Sequence, residues 1–420
     1  MVKRFALLSV TLLWVALSAG AELVNTMTEI FDPHFRSLQL RVNDNLFLPP
    51  VLLLDGGDYM TIEFDELAED NRYLRYSIQH CNADWQPSGL AESEYLDGFN
   101  LADVEEYDFS QATTTHYVHY RISLPDRQMR PLLSGNYLLK VYDSDNPDET
   151  LLQARFSVTE QKVGISAGIT STTDIDINRG HQQLLVSVDC GSAAVQSPFA
   201  DLKLYIQQNR RLDNEVMLPH PTRVVNRTAV YEHQRPLIFP AGNEYRRFET
   251  VTINFPGMKI DRTGFYDPYY HAVVATDEQR ASYQYDSTQK GRFMIRNAES
   301  DGPSETEADY VVTHFSLYAP ELIGQTVYLN GDFVHQNFNQ ESQMVYNPET
   351  GLFERSILLK QGSYNYQYLT GNPSKDGSRT RAVEGDFYET DNEYTVKVYT
   401  RQPGERYDRL IGYATFKYGK

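Results

Sequence analysis

The sequence predicts a mostly β protein, built as three consecutive β-sandwich domains behind a cleaved signal peptide. Three observations predict it. Apolar residues alternate with period two from end to end, turn-forming clusters separate the alternating runs, and Tyr and Phe dominate the aromatics, at thirty and twenty against two Trp. Strict alternation over four to eight residues marks half-buried strands, and such aromatics suit a pleated surface.

The alternating runs are specific. Val118, Tyr120, Ile122 and Leu124 share one face, as do Leu184, Val186, Val188 and Cys190. Leu202, Leu204 and Ile206 form a third set. Tyr364, Tyr366 and Tyr368 form another, and Tyr394, Val396 and Val398 a last one. Asp55-Gly56-Gly57, Ser134-Gly135-Asn136 and Gln361-Gly362 supply turns between runs. Short strands at this spacing predict sandwiches of immunoglobulin type.

The N-terminus reads as a secretory signal. Lys3 and Arg4 precede an apolar run from Phe5 to Leu17, and Ala19-Gly20-Ala21 follows with small residues at peptidase spacing. The run is shorter than the roughly 20 residues that span a bilayer. Cleavage is expected between Ala21 and Glu22. No Cys follows to accept a lipid, and the mature chain is expected to be soluble and exported.

At 420 residues the chain exceeds what one core usually organises. The first strand set closes near Val158, and a polar joint at 159–163 follows. Residues 297–309, NAESDGPSETEAD, are acidic and nearly free of apolar side chains, which reads as a solvated linker. The expected domains are 22–160, 161–300 and 309–420, with 301–308 as linker.

The net charge of −19 argues against a nucleic-acid partner, because an acidic chain repels phosphate backbones. His116 and His119 are three apart, which on a strand sends them to opposite faces and argues against a shared metal. Asp174, Asp176 and Asn178 resemble the start of a calcium loop, but Arg179 and Leu185 stand where that loop needs Gly and Glu. No phosphate loop and no nucleophile elbow is present. The residues therefore give no catalytic, cofactor or metal site, and the chain reads as a binding protein rather than an enzyme. Cys81 and Cys190 fall in different expected domains, and free buried thiols are the expectation rather than a disulfide.

Three stretches carry a resemblance. Residues 76–88 read YSIQHCNADWQPS, followed by EYLDGF at 94–99. Residues 239–249 read FPAGNEYRRFE, followed by PYYHA at 268–272. Residues 384–390 read EGDFYET, followed by GERYDRLIG at 404–412. Together they resemble the plug proteins of the type IX secretion system of Bacteroidetes, formerly a domain of unknown function. The resemblance implies a periplasmic protein, peripherally associated with the inner face of the outer membrane. It would bind the periplasmic opening of the translocon β-barrel and seal it when no cargo is in transit. The family brings no catalytic residues. Asp84, Trp85, Tyr95, Arg246, Arg247, Tyr269, Tyr270, His271, Arg406, Tyr407 and Arg409 stand out as partner-contact or structural motif residues, and the sequence leaves both readings open.

A rival reading attaches to the C-terminal domain. Residues 327–333 (VYLNGDF), 351–354 (GLFE) and 361–368 (QGSYNYQY) resemble the early-set sandwich of glycogen-binding modules. Such modules stack sugar on exposed rings, commonly Trp. This domain has no Trp, and its Tyr residues alternate at strand spacing, which sends several into the core. An exported carbohydrate-binding protein is therefore the alternative function.

Overall fold

The structure, a computed structural model, describes residues 25–191 and 195–419. It is 47% strand and 5% helical, which places it among mostly β proteins. The expected signal peptide, with Ala21 and Glu22 at its cleavage point, lies outside the described residues.

Three sandwiches enclose three large apolar clusters. In the first, one sheet orders Glu29–Ile30, Asn146–Thr159, Gly135–Asp143, Leu74–Cys81 and Ala102–Asp103, with Val51–Leu53 added parallel to Asn146–Thr159. The facing sheet orders Phe35–Val42, Met60–Glu66, Val118–Leu124 and Glu106–Phe109. Val118, Tyr120, Ile122 and Leu124 all point into the core between them, as their alternation predicts.

The second sandwich pairs Gly164–Thr170, His181–Asp189, Thr228–Tyr231 and Arg223–Val225 in one sheet. The other sheet orders Val216–Leu218, Leu202–Gln208, Asn392–Thr400 and Arg409–Tyr418. Its core joins Leu184, Val186 and Val188 to Leu204, Ile206, Tyr394 and Val396. The third sandwich sits between these two halves in sequence. Arg246–Glu249, Phe293–Ile295 and Val327–Asn330 all pair with Gly362–Thr370. Ile260–Tyr266, Tyr269–Val274, Tyr310–Tyr318, Leu352–Lys360 and Val345–Asn347 make the opposing sheet.

The sheets therefore divide the chain differently from the boundaries expected at 300 and 309. Strands from 246 to 295 belong with those of the third sandwich, and strands after 392 return to the second. Alternation reports which face of a strand is apolar but not which strand it pairs with, so the insertion left no local signal.

The acidic stretch is not a solvated linker either. Ser304–Glu307 is a short helix, and Thr306, Ala308 and Asp309 are buried. Gln111 N donates to Thr306 O at 2.8 Å, Tyr117 Oη donates to Ala308 O at 2.8 Å, and the Asp309 carboxylate accepts from Thr114 N and Thr115 N at 2.6 and 3.0 Å. The segment is strapped to the first sandwich by backbone groups and one carboxylate, contacts that composition does not encode. Cys81 and Cys190 are buried free thiols, and burial pushes Cys81 up to about 12.

Candidate functional site

The motif residues gather where the sandwiches meet. At the joint of the first and second, the strand ending at Cys81 turns through 82–87, with Trp85 in the left-handed region at φ 64°. Asp408, from the loop before Arg409–Tyr418, is buried against this turn. Its carboxylate accepts from Ala83 N at 3.1 Å and Lys203 Nζ at 3.0 Å, and Arg401 lies 3.1 Å away. Tyr95 and Tyr407 flank the His80 ring, with centroids 5.8 and 5.1 Å away. His80 Nε2 donates to Ser134 O at 3.1 Å, and burial pulls its pKa down to about 4. Gly135 makes this approach possible. Its φ is +142°, and a Cβ there would lie 2.6 Å from His80 Nε2.

Arg409 grips Glu160 with two bonds of 2.9 and 2.7 Å, and Arg406 reaches Glu94 at 2.7 Å on the surface. Burial raises the Glu160 pKa, but hydrogen bonds from Arg409, Lys162 and Ser134 outweigh it and bring it to about 2. A carboxylate depressed in this way contributes stability above about pH 4.5, and that stability is lost as pH falls towards 2. Arg409→Gln is expected to cost about 2 kcal/mol at neutral pH. The gap from wild type should close below pH 3, which urea unfolding at several pH values would measure.

The second joint links the second and third sandwiches through the crossing segments 241–245 and 384–391 and through Arg292 and Glu393, both buried and 2.5 Å apart. Beside it, inside the third sandwich, Arg246 joins the two sheets. Arg246 Nη1 donates to Asp277 at 2.7 Å, its Nε to Glu384 at 3.0 Å, and its Nη2 to Glu278 O at 2.8 Å. All three ionic groups are buried. Asp277 also accepts from Tyr366 and Tyr368 Oη at 2.6 and 2.9 Å. Asn243 Nδ2 donates to Glu384 O at 2.9 Å, Phe387 N to Gly242 O at 2.8 Å, and Asp391 N to Glu244 Oε1 at 2.8 Å. The FPAGNEYRRFE and EGDFYET stretches are thus two sides of one joint.

A third joint ties the first sandwich to the third. Lys360 Nζ donates to Asp65 Oδ2 at 2.6 Å, and Tyr310 Oη donates to the same oxygen at 2.6 Å. His119 Nδ1 donates to Asp65 Oδ1 at 2.7 Å. None of Asp65, Lys360 and Asp408 was singled out from the sequence. The available signal was a charge inside an apolar strand, as in MTIEFDE at 60–66.

The remaining candidates are scattered. Asp84 is exposed and accepts from Gln86 N at 3.1 Å. Trp85 is buried beneath Arg155, whose guanidinium carbon lies 4.3 Å from the ring centroid. Arg247 pairs with Asp286 at 2.7 Å, half-buried. Tyr269, Tyr270 and His271 lie on the hairpin of Ile260–Tyr266 and Tyr269–Val274, the outer edge of a six-stranded sheet. His271 Nδ1 and His314 Nε2 are hydrogen-bonded at 2.8 Å. The hairpin tip presents Phe265 and Tyr266, 48% and 69% exposed, and Phe265 packs on Tyr270 at 5.0 Å. His116 is exposed and paired with Glu69, whereas His119 is buried and paired with Asp65. Asp174 and Asp176 are taken by His233 and His181.

Residues 35–160 match the family model described as the type 9 secretion system plug protein, first domain. A crystal structure of a hypothetical protein from Parabacteroides merdae ATCC 43184 superposes with a TM-score of 0.91 at 40% identity, over 94% of this chain and 100% of that one. Escherichia coli alpha-2-macroglobulin activated by porcine elastase aligns at a TM-score of 0.16 and 11% identity, over 91% of this chain and 31% of that one, too low to carry an argument. No curated protein matches the sequence.

Proposed function

Because the chain belongs to the type 9 secretion system plug protein family, we propose that it is a periplasmic, non-enzymatic plug. It binds the periplasmic opening of the outer-membrane translocon barrel and seals it between cargo passages. The observation that carries this reading is the set of three joints. Buried ion pairs at Asp65–Lys360, Arg292–Glu393 and Glu160–Arg409 tie the three sandwiches into one body. A seal over a wide pore needs a body that holds its shape. Reversible release favours a polar interface over a large apolar one. Among the described residues no helix is long and apolar enough to cross a membrane.

The joints also sort the motif residues. Trp85, Tyr95, Tyr407 and Arg409 build joints and Arg246 is buried between the sheets of the third sandwich, so we assign the partner contact to the exposed hairpin that carries Tyr269 and Tyr270, with Phe265 and Tyr266 at its tip. The sugar-binding alternative finds little support. Tyr364, Tyr366 and Tyr368 are buried, so that strand has no row of rings to offer.

Two experiments test the reading. Tagged protein should capture the translocon barrel from detergent-solubilised outer membranes. Deletion of its gene should raise permeability to large antibiotics only when the translocon is present. The double variant Phe265→Ser, Tyr266→Ser should lose tenfold or more in capture while its stability changes by about 0.5 kcal/mol, because both rings are exposed. Wild-type capture by this variant would remove the hairpin from the interface. No capture by wild type, together with an impermeable deletion strain, would overturn the plug reading.

A further inference from the structure

A pocket of about 160 Å³ opens where all three sandwiches converge. Leu38 and Phe156 come from the first, Leu212 and Lys397 from the second, and Phe293 from the third. Trp85 forms part of the wall. Three cations line this largely apolar space: Arg155, Arg210 and Lys397. None of them is in an ion pair within 4 Å among the described residues; the carboxylate of Glu215 faces Arg155 and Lys397 from farther off, and Asp332 and Glu393 act on Arg210 in the same way. The one carboxylate in the lining, Asp332, accepts from Gln336 Nε2 at 2.8 Å.

The cations are held in place by neutral groups. Arg155 Nε and Nη2 donate to Thr26 O and Oγ1 at 2.5 and 3.0 Å. Lys397 Nζ donates to Ser157 Oγ at 3.0 Å, and Arg210 Nη2 to Phe47 O at 2.7 Å. Arg210 Nε is buried with no partner. Arg155 and Lys397 lie 4.3 and 5.6 Å from the centre of the Trp85 ring. Glu215 is one carboxylate facing two cations, and neither is in contact with it, so the pocket keeps a surplus of positive charge that a bound anion would offset.

We propose that this junction pocket binds a small organic anion, with its carboxylate or phosphate head at Arg155 and Lys397 and its apolar body against Leu38, Phe156 and Phe293. The volume fits that class, since a cavity of about 150 Å³ holds one benzene ring. The protonation state supports it. Burial lowers the Lys397 pKa, Glu215 opposes that and Arg155 adds to it, with the result at about 8. Lys397 is thus still largely charged at neutral pH, and an arriving anion raises its pKa again. His335, also in the lining, is pulled down to about 4 by burial and adds no charge. Because the walls come from all three sandwiches, the ligand bridges them.

Calorimetric titration of the full chain with benzoate, phenyl phosphate, benzylamine and inorganic phosphate tests the proposal. One of the two aromatic anions should bind saturably at one site, and benzylamine should not. Inorganic phosphate should bind at least tenfold more weakly than the aromatic anion. Lys397→Gln should weaken binding at least tenfold. Acetic anhydride labelling of wild type covers the case in which that variant fails to fold. Lys397 should be acetylated at pH 8, and the bound anion should slow that reaction several-fold. Absence of saturable binding by both anions, equal binding of benzylamine, equal binding of inorganic phosphate, or labelling of Lys397 that the anion leaves unchanged would each overturn it.

Discussion

Arg246→Met is expected to destabilise the protein by about 4 kcal/mol, read as a lowered urea midpoint. The guanidinium is the shared counter-ion of Asp277 and Glu384, at 2.7 and 3.0 Å. Both carboxylates are almost without solvent contact. With Arg246 gone, Glu384 retains Arg280 at 3.4 Å, but Asp277 keeps only the hydroxyls of Tyr366 and Tyr368. A buried carboxylate with no cation must either protonate or draw in water, and both routes loosen the packing of the third sandwich. The neighbouring Arg247 supplies the control. Its pair with Asp286 is about one-third exposed on both sides, so Arg247→Met is expected to cost less than about 1 kcal/mol. Equal costs for the two variants would show that burial of the charges does not set the cost.

Lys360→Met is expected to cost about 3–5 kcal/mol at neutral pH, through the joint of the first and third sandwiches. Lys360 and Asp65 are each 1% exposed and 2.6 Å apart, and Lys360 Nζ also lies 4.0 Å from the centre of the Tyr117 ring. Burial pushes the Asp65 carboxyl up, but Lys360 and His119 outweigh it and hold it below its usual range. A carboxylate held low contributes stability that is present above its unfolded pKa near 4 and lost as pH falls below it. In Lys360→Met that contribution is already missing. The two unfolding free energies should therefore converge as pH drops below about 4. Adding Asp65→Asn to Lys360→Met should recover most of the loss, because the buried charge is then gone. A gap independent of pH, with no recovery in the double variant, would show that lost packing rather than charge accounts for the cost.

The strand faces were legible in the sequence because alternation is a local property. Leu184, Val186, Val188, Tyr394 and Val396 were read as apolar faces, and each is buried. That the two sets share one core was not legible, since nothing local relates positions some two hundred residues apart. The joints were hidden for the same reason. Asp65 and Lys360 are 295 residues apart, and each looks like an ordinary surface charge until the other is in place. The acidic run at 297–309 misled in the opposite direction. Its side chains suit water, while its backbone carbonyls and Asp309 serve the first sandwich. The motif stretches were visible as unusual sequence, yet only the fold separates those that build joints from the hairpin that stays exposed.

The interrupted second sandwich has a consequence for how the chain is made. Strand Asn392–Thr400 lies between Leu202–Gln208 and Arg409–Tyr418, so that four-stranded sheet is incomplete until residues 392–418 have been synthesised. Until then Leu204 and Ile206 are paired only with Leu218 and Val216, and their core lacks Tyr394, Val396, Val398 and Ile411. A chain stopped early is therefore not a slightly shorter plug. It exposes an apolar, unpaired strand edge, which favours aggregation and proteolysis. Residues 392–418 complete the core that Leu184, Val186 and Val188 line, and truncation before 392 is expected to leave that core open.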